Sequence, residues 1–195
     1  MTLVEMMVAS AISLILLSLM TTMVTVFGKA EVSTVNSANA AANVRLTLLQ
    51  LQHDIQSANP LGTFATVAAY NNKLKVTIQP SNTLITWRYT PTAVTIGSYN
   101  YAAKTLTRQI GNTQPVVELT SVTNGTVVPV LPVFSYYDHC AINQVTQSGA
   151  SPSSISSATT VVQITLSVAN LNSAPYGSTT RVNIMNLPPG ASRCG

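Results

Sequence analysis

Three groups of residues in this 195-residue chain are of types that do chemistry. His53-Asp54 sets an imidazole beside a carboxylate, the materials of a general base or a metal site, and Asp138-His139-Cys140 adds a thiol to the same set. The third is Glu5, the one charged side chain at the head of an otherwise uncharged apolar run. Neither histidine cluster goes far. Adjacent side chains on a helix diverge by about 100°, so His53 and Asp54 cannot easily face one ligand. Cys140 has a competing use as half of a cystine, and no glycine-rich phosphate loop or nucleophile elbow occurs anywhere in the chain. Catalysis, a metal and a cofactor are therefore not expected.

Glu5 is different, because the run that follows it, Met6 to Phe27, is 22 residues without a charge. At about 1.5 Å per residue such a helix spans the hydrocarbon core of a bilayer. An acid placed there costs a few kcal/mol even on gentle insertion scales, which makes it a functional residue by default once a partner can be named. No Lys or Arg precedes the run, and no small-residue cleavage site follows it, so it does not read as a secretory signal peptide. Membrane insertion normally relies on a cytoplasmic basic flank. Its absence leads us to expect that a basic leader once preceded Met1 and was removed, leaving Met1 as a processed terminus.

The two cysteines, Cys140 and Cys194, match no CxxC or zinc spacing. In a secreted domain a disulfide between them would close a long C-terminal loop, worth about 4 kcal/mol in the chain-entropy picture. Two unrelated buried thiols are the alternative. Only 7% of the chain is charged against 46% hydrophobic, and the +4 net charge is scattered without a basic run. Nucleic acid is therefore not an expected partner. A nearly uncharged surface rich in Ser, Thr and Asn suits an extracellular module or a subunit packed among copies of itself.

The elements that must position these residues are two. Beyond Gly28 and Lys29 the helical pattern continues from Glu31 to Ala58, with Val44, Leu48, Leu51 and Ile55 on one face, and Asn59-Pro60 ends it. One helix of almost 60 residues would lie half in lipid, 1–28, and half on a domain, 29–59. From residue 60 to 195 the signals are β. Strands are expected at 63–70, 73–79, 83–89, 93–99, 104–110, 115–120, 127–137, 159–169 and 179–186, forming an antiparallel meander. The Ser- and Gly-rich stretch 146–157 reads as an exposed loop, and Asn124-Gly125-Thr126 fits both a turn and an N-glycosylation acceptor. The Ser/Thr-rich stretch 148–160 is a candidate for O-glycans. The fold class expected is α+β.

Thr2-Leu3-Val4-Glu5 ahead of an uncharged span, then a long amphipathic helix, then a β-domain with a late cysteine pair, resembles the type IV pilin superfamily. That resemblance implies a pilin-like fold and a basic leader removed by a prepilin peptidase. It also implies an N-methylated Met1 and a filament in which Glu5 faces the N-terminal amine of a neighbouring subunit. A finer similarity runs through Arg45-Leu46, Asp54-Ile55, Trp87-Arg88-Tyr89, Leu106-Thr107-Arg108 and Val133-Phe134-Ser135-Tyr136-Tyr137-Asp138, which look like the J-type minor pseudopilins and related minor pilins. No proline interrupts the first helix, and Gly28 is its only glycine, so any local unwinding on assembly would use Gly28 or the Ser and Thr residues of the span.

The expectation is thus a structural subunit and not an enzyme, a single-pass inner-membrane protein before assembly and part of an extracellular filament after it. Its partners would be copies of itself, other pilins and minor pilins, the prepilin peptidase and the assembly machinery. Two other readings stay open. One is a minor pilin or J-type pseudopilin that primes or caps a pilus or secretion pseudopilus. The other is a membrane-anchored binding module whose β-domain holds a ligand and which never polymerises. For Glu5 itself the alternative to pairing is a carboxylate at the interface that snorkels or is protonated.

Overall fold

A computed structural model describes residues 2–62, 69, 71–78, 81–124, 131–138, 159–170 and 173–185. The first element is a single helix, α1 (Leu3–Gln56), 54 residues and about 81 Å long. No proline or second glycine interrupts it. Its hydroxyl side chains turn back onto their own helix. Ser13 donates to the Ala9 carbonyl at 2.8 Å, Thr21 to Leu17 at 2.7 Å and Thr22 to Ser18 at 2.9 Å. In this way most of the hydroxyl groups of the span are satisfied within the helix itself, the Ser18 hydroxyl being the exception among the described residues. At the other end the Ser57 amide donates to the His53 carbonyl at 3.0 Å and closes the last turn. The helix stops two residues earlier than the Ala58 expected, because Ala58 already belongs to a strand.

That strand, β1 (Ala58–Leu61), was not anticipated. It occupies the edge of a five-stranded antiparallel sheet, where Pro60, having no amide proton, is tolerated. The sheet order is β1-β2-β3-β6-β7, with β2 at Lys73–Ile78, β3 at Thr83–Thr90, β6 at Thr105–Ile110 and β7 at Val116–Leu119. Between β3 and β6 the chain makes a small hairpin, β4 (Val94–Ile96) with β5 (Tyr99–Tyr101). This corrects the single strand expected at 93–99. Gly97, at φ +62°, supplies a left-handed turn residue that splits the apolar run in two. A separate three-stranded sheet has the order β10-β9-β8, from β8 (Phe134–Tyr137), β9 (Val161–Asn170) and β10 (Ser173–Asn183). The strand β10 begins well before residue 179, as a long antiparallel partner of β9. Apart from residue 69, the expected strand at 63–70 lies outside the described residues, as do the first part of that at 127–137 and the stretch 146–157.

The two sheets are joined rather than merely stacked. Val122 bridges to Val168, the Thr123 amide donates to the Ser167 carbonyl at 2.7 Å and the Ala169 amide to Ser121 at 2.8 Å. Asn124 completes the joint, its Nδ2 donating to the Thr165 carbonyl at 2.6 Å and its Oδ1 accepting from the Ser167 amide at 2.8 Å. An amide so used, on a residue 2% exposed, is not available as a glycosylation acceptor in the folded chain, which corrects that expectation. Thr159 and Thr160, at the end of the stretch considered for O-glycans, are likewise buried.

One hydrophobic core sits between the C-terminal part of α1 and the sheets. The helix contributes Val44, Leu51 and Ile55, with Leu48 partly buried beside them, the face that the 3.6-residue period predicts. Leu74, Val76, Ile85, Trp87 and Leu106 face them from the larger sheet, and Phe134, Tyr136, Ile164 and Leu166 from the smaller. Each fully buried aliphatic side chain contributes about 1.5–3 kcal/mol, so this face alone holds the helix to the head firmly.

Candidate functional site

The N-terminal part of α1 has no partner among the described residues. Every described residue from Thr2 to Val32 is exposed, and Leu3, Leu14, Met20, Val24 and Phe27 each show between 66 and 78% of their surface. A soluble monomer seldom exposes a continuous apolar patch beyond a few hundred Å². This one encircles the helix for its whole free length. By length and composition the helix can cross a membrane.

At its tip lies Glu5. The side chain folds back so that Oε2 accepts the Thr2 backbone N–H at 2.7 Å, while Thr2 Oγ1 accepts the Glu5 N–H at 3.4 Å. This is a reciprocal capping box, with Thr2 in an extended conformation at the N-cap and Glu5 at the third helical position. It gives Glu5 a partner within its own chain that reading the span as a membrane segment does not reveal. The Ser/Thr-x-x-Glu spacing that signals it is nevertheless present in Thr2-Leu3-Val4-Glu5. A carboxylate there also favours the positive end of the helix dipole. Its other oxygen, Oε1, makes no hydrogen bond among the described residues.

Where the helix docks, a second polar group is wholly buried. Asp54, 1% exposed, accepts from Trp87 Nε1 at 2.8 Å and from Arg108 twice, Nε to Oδ2 at 2.8 Å and Nη2 to Oδ1 at 3.1 Å. The Arg108 guanidinium also lies 5.9 Å from the Trp87 ring centroid. Trp87 and Arg108 are directly opposed on β3 and β6, so the ladder itself delivers both donors to one carboxylate. His53 has 78% of its side chain exposed, and its Nδ1 reaches to 3.8 Å from Asp54 Oδ1, at the edge of ion-pair distance. Asp54 is buried and spends both oxygens on Trp87 and Arg108, so the two residues do not turn toward one ligand. Among the described residues no three of His, Cys, Asp and Glu come together.

Between the helix and the head, a groove of about 670 Å³ opens beside Asn36, Asn39 and Asn43 on one wall and Leu119, Ser121 and Val168 on the other. It marks where α1 leaves the head. Gly28 lies inside uninterrupted helix, and a methyl group built there would meet nothing within 4 Å. Met1, His139, Cys140 and Cys194 lie outside the described residues, so the processed terminus and the cystine are expectations still. No family model matches the chain, and no curated protein matches it.

Proposed function

We propose that this chain is a pilin-like structural subunit of a type IV pilus or related filament, held in the membrane by α1 and then packed through the same helix against its own copies. The observation that carries the reading is the joining of two opposite surfaces in one unbroken helix. Its last turns are locked into a β-rich head, while the uncharged run from Met6 to Phe27 is exposed on every side. Lipid satisfies that surface in a single molecule, and neighbouring helices satisfy it in a fibre.

Glu5 fits this use. In the single chain one of its oxygens caps the helix and the other is open to a donor. A positively charged N-terminal amine of the adjacent subunit is such a donor, and two charges paired in an apolar bundle fix the axial register between copies. Cleavage of a leader before Met1 by a prepilin peptidase would create that amine.

Electron microscopy of material sheared from cells, with mass spectrometry of the intact subunit and its N-terminus, tests the proposal. Wild-type protein is expected in thin filaments with a processed, methylated Met1. Glu5→Ala is expected to give few filaments or none while the head stays folded. Normal filaments from that variant would overturn the role given to Glu5. An unpolymerised wild-type protein in the membrane would favour the anchored binding module instead.

A further inference from the structure

On the face of the larger sheet turned away from α1, two cations stand opposite each other. Leu74, Val76, Ile85, Trp87 and Tyr89 fill the core, so the alternate residues Lys73, Lys75, Thr86 and Arg88 project to the other side. Lys73 and Arg88 are direct cross-strand partners in the β2–β3 ladder, and Lys75 lies two residues along on the same face. Like charges directly opposed in a ladder are destabilising. Neither Lys73 nor Arg88 has an acid within ion-pair distance among the described residues. Beyond residue 60 the sequence holds only two acids, Glu118 and Asp138, against seven bases.

The arrangement is also held in place. The Arg88 guanidinium lies 5.0 Å from the Tyr101 ring centroid, and Tyr101, 5% exposed, is carried over the sheet by the β4–β5 hairpin. Arg88 Nε is buried and makes no hydrogen bond. Such a donor, stripped of water and left unmatched, costs stability unless something accepts from it. Lys75 is constrained from behind, because Gly62 approaches so closely that a methyl group there would stand 2.7 Å from Lys75 Cβ. Burial, then the charges of Arg88 and Lys75, pull the Lys73 ammonium below its usual value.

We infer that Lys73 and Arg88, backed by Tyr101 and flanked by Lys75, form an anion site for a tetrahedral phosphate or sulfate group. An ammonium and a guanidinium carried by cross-strand partners on one sheet face can address two oxygens of such a group. The Tyr101 ring fixes the guanidinium plane, and the bound charge removes the repulsion across the ladder. The site is independent of polymerisation, since it lies on the head and not on α1.

The full chain in nonionic detergent, titrated calorimetrically at constant ionic strength, tests this. Inorganic phosphate is expected to bind saturably and to raise the thermal midpoint, and a hexose phosphate run in parallel tells a free anion from one carried on a sugar. Lys73→Gln should weaken phosphate binding by about tenfold, the effect of one charge-assisted hydrogen bond. Lys73→Glu gives Arg88 an acid partner of its own, and should raise the midpoint without ligand and abolish the further rise with phosphate. Lys29→Gln, on the free helix, should bind as the wild type does. Absence of saturable binding, equal weakening by Lys29→Gln, or undiminished binding by folded Lys73→Glu would each overturn the inference.

Discussion

Arg108 grips Asp54 through two nitrogens, at 2.8 and 3.1 Å, and so joins the sixth strand to a helix residue 54 positions earlier in the chain. With Asp54 fully buried and the Arg108 side chain 17% exposed, the pair is far less screened than a surface ion pair. Trp87 supplies the third hydrogen bond and closes the group on the side of the core.

Removing one partner should therefore be costly. Arg108→Gln or Asp54→Ala is expected to lower head stability by about 3–5 kcal/mol, because each leaves a buried charge or its donors without a match. Replacing both Asp54 and Arg108 with apolar residues of similar size should cost much less than the sum of the two single changes. Urea unfolding followed by Trp87 fluorescence measures all three.

The cap at the tip of the helix is a local device, distinct from the assembly role proposed for Glu5. Thr2→Ala should fray the first turn by about 0.5–2 kcal/mol and leave the unfolding midpoint of the head unmoved. Amide hydrogen exchange over residues 3–6 against residues 44–55 separates the two regions. If filaments form normally from Thr2→Ala but not from Glu5→Ala, pairing between subunits and not capping is what assembly requires.

Gly28 and Gly62 should respond in opposite ways to one added methyl group. At Gly28 nothing lies within 4 Å, so Gly28→Ala is expected to strengthen the helix by about 1 kcal/mol. If assembly calls for the helix to loosen there, the same change slows filament growth. At Gly62 the new methyl would meet Lys75 Cβ at 2.7 Å, and Gly62→Ala should destabilise the head by about 1–3 kcal/mol. Thermal unfolding of both variants, with filament yield for the first, provides the comparison.

Lys73 predicts an alkaline trend. Burial, then the charges of Arg88 and Lys75, hold its folded value below 10.5, and the unfolded chain restores it. Between those two values the unfolded form binds more protons, so this residue makes stability rise as pH climbs toward 10.5. The difference in unfolding midpoint between wild type and Lys73→Gln, followed from neutral pH upward in a phosphate-free buffer, should grow in favour of the wild type.

What the sequence disclosed follows the range of the forces involved. The docking face of α1 was legible in Val44, Leu48, Leu51 and Ile55 because helical periodicity is a local signal, and the strands β2, β3, β6, β7 and β9 announced themselves by β-branched runs between turn residues. Asp54 lies on the same helix face, but its partners depend on the β3–β6 register, which no nearby residue encodes. The short edge strand β1 was hidden behind Asn59-Pro60, a pair that reads as a stop and here serves also as a sheet border. Asn124 resembled a free acceptor because the three-residue motif says nothing of burial; its amide in fact bonds to the β9 backbone. The capping box was present in four consecutive residues, and treating Glu5 only as a membrane charge conceals it.

The position of the Asp54 clasp has a mechanical consequence. From Leu3 to Val32 the helix stands clear of the head, and the grip falls within its final turns, so tension along the helix axis reaches the head at the far end of the rod. There it meets three short hydrogen bonds and the interlocked side chains of Val44, Leu51 and Ile55 loaded in shear, all yielding together. Peeling them one after another would require a force directed across the helix axis instead.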